Sequence, residues 1–508
     1  MLALIRSYGL KGLDGFPVQA EIDMHMGMPT YDIVGLADTA VKESKERVRS
    51  AIKNSGYSYP VASMVVNLAP ADIKKEGSLY DLPIALGLLA ASKQVEYASL
   101  KSAVYVGELS LNGEVRKVNG LLPMIISAVQ GGERVFVIPK ANADEAAFIE
   151  GAEIYAVETL RQAVDFATGQ EEIAPLPVKS WQSDVERKRS DNDFKYIKGQ
   201  YAAKRAMEIA VAGGHNILMV GPPGAGKTML ARAVPSIMPN LTFEEALEVA
   251  KIHSVSGTLD SGFVYERPFR TPHHTSTTVA LTGGGNKARP GEISLAHNGV
   301  LFLDELPEYP RATLETLRQP LEDGVITVSR NAVSVTYPAD FMLIASMNPC
   351  PCGNYGSSTA ECTCSASQIH RYLSKLSGPL LDRIDIHIEV DNVSYDDLQA
   401  DAMSESSEVV RGRVNKARQI QLERLGSHGL RCNAQMSAGD VKKYCKLTSD
   451  SQQLVRESFE RFNLSARAYN RVLKVARTIA DLDGSENITA RHIAESLQYR
   501  ALDRKYRV

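Results

Sequence analysis

The sequence predicts an α/β protein in three successive parts: an α/β N-terminal segment, an α/β core on a parallel sheet, and an all-helical C-terminal segment. Three observations predict it. Short apolar strands alternate with helical segments through residues 1–392. One of those strands opens into a glycine-rich loop that leads directly into a helix. From residue 393 onward the apolar positions recur at helical spacing.

A chain of 508 residues is too long for one core, and at about 150 residues per domain it accommodates about three. Apolar residues make up 44% and charged residues 23%, the balance of a soluble globular protein. The net charge is −3, so the surface is not broadly basic and any nucleic-acid contact has to be local, in a groove or a pore. No run of about 18 or more apolar residues and no leader-like stretch behind Met1 is found, which predicts a cytoplasmic protein with no membrane contact.

Residues 1–168 form the first expected domain. Residues 18–24 alternate apolar and polar, as a half-buried strand does. Residues 39–54 predict a helix with Val41, Val48, Ala51 and Ile52 inward, and residues 64–68 and 134–138 read as buried strands. Residues 169–193, with Pro175, Pro177 and a charged run, predict an exposed linker. Residues 194–392 form the core domain. Residues 393–508 form a helical lid, with helices expected at 407–425, 451–462, 466–481 and 489–504 and with Ser437 and Thr489 as N-caps.

The core carries most of the chemistry. The apolar strand at 216–220 runs into Gly221, Pro222, Pro223, Gly224, Ala225, Gly226, Lys227 and Thr228, and then into a helical stretch. That is G-x-x-x-x-G-K-[ST] in the strand–loop–helix context it requires. Its glycines let successive N–H groups curl around phosphate oxygens, and the helix N-terminus adds partial positive charge, which predicts ATP as ligand. Lys227 is expected to reach the β- and γ-phosphates and Thr228 to ligate Mg²⁺. Residues 300–305 are an apolar strand ending in two carboxylates: Asp304 to hold Mg²⁺ and Glu305 to polarise the attacking water. A third strand, 341–347, ends at Asn348, whose amide can orient that water. Three parallel strands delivering their ends to one edge is the usual site geometry of an open α/β sheet. Arg383 and Arg467 complete the series, since a guanidinium that reaches a γ-phosphate neutralises transition-state charge. Singly each is an ordinary surface arginine; their place in the ordered series singles them out.

This series resembles the magnesium-chelatase-like branch of the AAA+ ATPases, and the whole chain is similar to its ComM/YifB group. The resemblance implies that Asn348 is sensor 1, Arg383 an arginine finger acting in trans, and Arg467 sensor 2. It implies a homo-hexameric ring with ATP sites between subunits. It also implies a DNA helicase that drives branch migration of recombination intermediates in natural transformation and homologous recombination. The competing expectation is a chelatase-like ATPase that remodels a protein partner.

Residues 74–85 and 106–122 resemble the segments of the Lon proteolytic domain that carry its catalytic serine and lysine. Aligned without gaps, those positions fall on Leu79 and Leu122, which can be neither nucleophile nor base; Ser78 lies one residue away. The expectation is a Lon-like domain without the Ser-Lys dyad, serving oligomerisation or substrate binding.

Three further features attach to the core. Cys350, Cys352, Cys362 and Cys364 supply four thiols that can close a structural Zn²⁺ site or remain free and redox-active. Residues 324–337 alternate as a β-hairpin with Arg330 near its tip, either solvated or projecting into a ring pore. The glycine-rich stretch 257–291 carries Arg267, Arg270, Lys287 and Arg289, cations that could track a DNA backbone, and the pair His273-His274, read as loop packing, inter-subunit hydrogen bonding or a metal ligand. Arg411, Arg413, Lys416, Arg418 and Arg424 share one lid helix, as a basic or simply a solvated face. No base-reading motif is present, so DNA recognition is expected to follow structure rather than sequence.

Overall fold

The computed structural model describes residues 2–181, 192–259, 262–285, 288–330, 333–356, 360–393, 399, 404–462 and 464–500. Strands β1 (Leu2–Lys11) and β2 (Asp14–His25) pair antiparallel around a turn at Gly12, where φ is 65°. Their inward residues Ala3, Ile5, Val18, Ala20 and Ile22 are all buried, which is the period of two expected of a strand with one face in a core. With β3 (Thr30–Val34), β4 (Ser63–Ala69), β5 (Val104–Tyr105), β6 (Val135–Pro139) and β7 (Glu153–Val157) they form a mixed sheet in the order β3-β4-β2-β1-β5-β6-β7. The helix expected at 39–54 comes in two pieces. Asp38 caps a first turn, Thr39–Lys42, by accepting the Val41 N–H at 2.8 Å, and the helix proper is α1 (Ser44–Asn54). Helix α2 (Asp81–Ala91) is buried along its whole length, and α3 (Leu121–Gln130) and α4 (Leu160–Ala167) complete the layer.

The segment expected to be an exposed linker keeps contact with the body. The Leu176 N–H donates to the Ile154 carbonyl at 2.8 Å, covering the β7 edge, and the Trp181 indole N–H donates to the Val264 carbonyl at 3.3 Å. Residues 182–191 of that segment lie outside the described residues.

The core begins with α5 (Tyr201–Gly213), β8 (Ile217–Val220), α6 (Lys227–Ile237) and α7 (Phe243–Ser256), followed by β9 (Phe269–Arg270) and β10 (Val300–Leu303). The hairpin β11 (Val325–Arg330) and β12 (Val333–Pro338), then β13 (Met342–Met347) and β14 (Ile386–Glu389), complete it. The five-stranded sheet, in the order β9-β10-β13-β8-β14, is wholly parallel. Every residue of β8, β10 and β13 is buried, as the uninterrupted apolar sequence of a sheet covered on both faces requires.

The C-terminal part is helical: α8 (Ser407–Leu425), α9 (Ala438–Tyr444), α10 (Ser449–Phe462), α11 (Ala466–Leu482) and α12 (Ala490–Gln498). Ser437 caps α9, and Thr489 precedes α12 with its N–H donated to His492 Nδ1 at 3.1 Å. Among the described residues the last helix ends at Gln498. The Tyr499 carbonyl accepts the His387 N–H at 2.9 Å, which ties the end of this helix to β14. Residues 501–508 are outside the described residues. Most cations of α8 are neither a basic nor a solvated face. Arg413 pairs with Glu208 and Glu405, Arg424 with Asp481, and Arg418 donates to the Val211 carbonyl, tying the helix to the core, while Lys416 stays exposed.

The first sheet and the core share an apolar cluster in which Leu122 and Phe136 meet Ala246, Ala250 and Phe263. At a second contact, Gly12 lies against the hairpin: a Cβ there would stand 2.5 Å from Val335 Cγ1. No helix among the described residues is long and apolar enough to cross a membrane.

Candidate nucleotide site

Strand β8 delivers the loop 221–228 to the C-terminal edge of the parallel sheet, and β10 and β13 deliver Asp304 and Asn348 beside it. Gly221 passes so close to the end of β14 that a Cβ would lie 2.0 Å from the Val390 carbonyl oxygen, so no larger residue fits. Gly226, at φ 88°, turns the chain into α6 through the left-handed region. Lys227 Nζ donates to the carbonyls of Gly221 and Pro222 at 2.7 and 2.9 Å and to Asn348 Oδ1 at 3.1 Å. Burial lowers the pKa of this ammonium, and the carboxylates of Asp304 and Glu305 oppose the shift.

Asp304 is held from several sides. Its carboxylate accepts from the Thr228 hydroxyl at 2.9 Å, from the Ser346 hydroxyl, and from the Glu305 N–H at 3.1 Å. Two oxygens about 2.9 Å apart match neighbouring positions around an octahedral Mg²⁺ ion with ligands at roughly 2.1 Å, so Thr228 and Asp304 fit that ion. Glu305 has φ 52°, an uncommon backbone for a residue with a Cβ and one that clusters at functional sites. Its carboxylate is half exposed, with His274 Nδ1 at 3.8 Å.

Arg383 and Arg467 are not at this edge. They line a cavity of about 880 Å³ at the opposite edge of the sheet, where Asn216, Gly299, Met342 and Asp385 mark the starts of the strands. Arg383 pairs with Glu322 and donates to the Pro379 carbonyl at 2.8 Å. Arg467 is exposed in the first turn of α11. Below them Asp385 is buried, which raises its pKa, but the bond from His215 at 3.0 Å and the nearby Arg471 outweigh this and hold the carboxyl below its ordinary range. The cavity therefore presents guanidinium groups on an anchored base, at the far end of the subunit from its own phosphate loop.

Residues 193–398 match the family "Magnesium chelatase, subunit ChlI", residues 20–142 match "Subunit ChlI of Mg-chelatase", and residues 404–500 match "Magnesium chelatase, subunit ChlI C-terminal". The chain is 44% identical over 507 residues to the competence protein ComM of Haemophilus influenzae, covering 99% of this chain and 98% of that one. It is 42% identical over 506 residues to the protein YifB of Escherichia coli, with 99% and 98% covered. The chain belongs to the ComM/YifB group of magnesium-chelatase-like AAA+ ATPases. A magnesium-chelatase subunit ChlI from Olisthodiscus luteus is 28% identical over 172 residues, only 31% of this chain, so the likeness to the group far exceeds that to the chelatase subunit.

Against this AAA+ framework the remaining expected residues fall into place unevenly. The four cysteine sulfurs lie within 4.8 Å of one another, with Cys350 to Cys352 at 3.3 Å and Cys362 at 3.7 Å from both. A tetrahedral Zn²⁺ with sulfur at about 2.3 Å has edges of about 3.8 Å, so the cluster fits a metal of that size. The cysteine loop also touches the phosphate loop: a Cβ on Gly353 would lie 2.4 Å from Pro223. Two cations of the glycine-rich stretch are not free to follow DNA. Arg267 is buried on Glu245 at 2.7 Å, and Arg270 is clamped by Glu292 at 2.6 and 2.8 Å, so both brace the loop instead. Arg289 is exposed, Lys287 lies outside the described residues, and Arg330 ends β11. Leu79 and Leu122 meet in one apolar cluster, and the Ser78 hydroxyl donates to Glu108.

Sequence reasoning missed Ser346, and it read His274 as loop packing, inter-subunit hydrogen bonding or a metal ligand without placing it beside Glu305. Ser346 carries no motif of its own, but the parallel register Leu303↔Ala345 puts the next residue of β13 beside Asp304. His274 follows β9, which pairs with β10 through Phe269↔Val300, and so ends beside the same carboxylates.

Proposed function

We propose that the protein hydrolyses ATP with Mg²⁺ in a homo-hexameric ring and uses the cycle to move DNA. The DNA is branched or single-stranded and recognised by structure. In this reading the motor promotes branch migration of recombination intermediates, in natural transformation and homologous recombination. The observation that carries it is the placement of Arg383 and Arg467 at the sheet edge opposite the phosphate loop. One subunit alone cannot bring them to its own nucleotide, whereas a head-to-tail neighbour can. The likeness to a competence protein over nearly the whole chain supports DNA as the substrate.

Each residue then has a task. Lys227 exchanges its loop carbonyls and Asn348 for the β- and γ-phosphates. Thr228 and Asp304 hold Mg²⁺, which neutralises charge on the phosphates, while Ser346 fixes the Asp304 carboxylate. Glu305 and Asn348 orient and polarise the attacking water. Arg383 and Arg467 of the neighbouring subunit meet the charge that develops on the γ-phosphoryl group. Arg330, Lys287 and Arg289 are the candidate contacts with the DNA backbone. The four cysteines hold structural Zn²⁺ and brace the Asn348 loop against Pro223.

The test is a labelled three- or four-stranded DNA junction with ATP and Mg²⁺, beside Lys227→Ala and Glu305→Gln. Junction resolution by the wild type, lost in both variants, is the expected result. ATP hydrolysis without DNA binding or junction movement would overturn the DNA reading in favour of a protein-remodelling ATPase, the reading favoured by the chelatase-subunit families that the chain matches.

A further inference from the structure

Strand β8 has the phosphate loop at one end. At the other, the two residues that enter it, His215 and Asn216, are hydrogen-bonded to the elements that carry Arg383 and Arg467. Asn216 Nδ2 donates to the Arg383 carbonyl at 2.9 Å, and its Oδ1 accepts the Leu343 N–H at 2.8 Å. The Asn216 carbonyl accepts the N–H groups of Asp385 and Ile386, both at 3.1 Å. The backbone around Arg383 is thereby fixed to the base of the sheet. Four strand residues at about 3.3 Å each separate that base from the subunit's own phosphate loop by roughly 13 Å.

The His215 side chain is fully buried. Its Nδ1 meets Asp385 Oδ2 at 3.0 Å, and its Nε2 meets the Thr478 hydroxyl at 2.9 Å. Asp385 lies two residues after Arg383, and its other oxygen faces Arg471 Nε at 3.4 Å. Thr478 and Arg471 both belong to α11, whose first turn holds Arg467. The imidazole therefore bridges the Arg383 segment and the Arg467 helix. Its surroundings leave it little freedom. The His215 N–H donates to the Ala210 carbonyl at 2.8 Å, and the Thr478 hydroxyl also accepts from Asn433 Nδ2 at 3.0 Å. A Cβ on Gly213 would stand 2.3 Å from the ring and 2.5 Å from the Thr478 hydroxyl, so a larger residue there would push the imidazole off its partners. A ring with no exposed surface cannot touch a nucleotide, so its role is geometric.

We infer that His215 is a positioning residue for the ATP of the neighbouring subunit: by joining Asp385 to Thr478 it holds Arg383 and Arg467 at one spacing, so that both guanidinium groups meet the same γ-phosphoryl group. Without the imidazole, Asp385 loses its partner on Oδ2 and α11 loses the Thr478 tie to the base of the sheet. The two arginines then drift relative to one another, while the subunit's own phosphate loop at the far end of β8 stays intact. The loss falls on the neighbour's chemistry and spares ATP binding. This rests on the proposed reading in which Arg383 and Arg467 act in trans.

The experiment measures phosphate release by rings assembled from two full-length chains. One carries Lys227→Ala and supplies the arginines; the other carries Arg383→Ala and supplies the phosphate loop. His215→Ala is then added to one chain or to the other. In the arginine-supplying chain it is expected to lower the recovered kcat about tenfold with an unchanged KM for ATP. In the loop-supplying chain it is expected to leave the recovered rate unchanged. A merely structural role would lower the rate from either chain. No loss from the arginine-supplying chain, or a loss from the loop-supplying chain that equals or exceeds it, overturns the inference. Thr478→Val, which removes the hydroxyl on α11 and leaves Asp385 paired, is expected to repeat the one-sided loss at about threefold. Should His215→Ala not fold, a Thr478→Val loss that is absent or equal from the two chains overturns it instead. The underlying reading fails separately, when the two chains without a change at His215 recover no activity. His215→Ala in an otherwise wild-type chain then decides. A kcat about tenfold lower at wild-type Tm keeps His215 as a positioning residue within one subunit, and an unchanged kcat overturns it.

Discussion

Mixing two inactive variants gives a quantitative prediction from the placement of Arg383. Lys227→Ala removes the ammonium from a subunit's own phosphate loop; Arg383→Ala removes a guanidinium at the far edge of the sheet, in the cavity that also holds Arg467. Loss of an arginine finger slows phosphoryl transfer roughly a thousandfold or more, so each variant alone is expected to retain under about one per cent of wild-type turnover. In a ring assembled at random from equal amounts of the two, a site is complete when an Arg383→Ala subunit receives its arginine from a Lys227→Ala neighbour. Two independent even chances make that about one interface in four, whatever the ring size, because each site is shared by only two subunits. The mixed protein is therefore expected to regain about a quarter of wild-type ATPase activity. The assay is phosphate release after co-expression of the two chains with different tags and purification through both. Activity no higher than the mean of the parents refutes the reasoning, since it means that Arg383 serves its own subunit or none.

Ser346→Ala leaves one Asp304 oxygen without its hydroxyl partner, and is expected to raise the Mg²⁺ needed for half-maximal activity about tenfold; an unchanged Mg²⁺ titration counts against the role given to Ser346. The cysteine cluster is expected to yield about one zinc per chain by elemental analysis, and removal with a chelator or Cys362→Ser is expected to lower Tm by several degrees and weaken ATP binding, because the loop leans on Pro223. Burial pushes the Asp81 carboxyl up to about 6, with Arg47 opposing. A raised carboxyl contributes stability that is complete below its unfolded value of 3.8 and lost as pH rises through about 6. Urea midpoints are therefore expected to fall across that window in the wild type and to show a smaller fall in Asp81→Asn.

The parallel core was legible because its signals are local. A short unbroken apolar run such as 300–303, ended by two carboxylates, fits a strand covered on both faces, and a loop of the 221–228 type needs its strand and helix on either side. The inward residues of the 39–54 stretch were equally plain, but the break at Glu43, whose N–H still donates to the Thr39 carbonyl, was not. What remained hidden was partnership across the chain. Arg267 and Arg270 look like free cations in a glycine-rich loop until Glu245 and Glu292 arrive from other elements. Ser346 and the closeness of His274 to Glu305 became visible only through strand register, and the bond from Trp181 in the largely exposed 169–181 stretch was hidden because its partner Val264 lies far along the chain.

The contact between Gly12 and Val335 has a mechanical meaning. Interiors are close-packed and resist compression, so a side chain seated against a backbone notch transmits displacement almost without slack. If the hairpin that carries Arg330 swings during a power stroke, the turn between the first two strands must swing with it or the notch must empty. Any movement of the hairpin would thus be felt at the turn between β1 and β2, and a wider side chain at Gly12 would press directly on Val335.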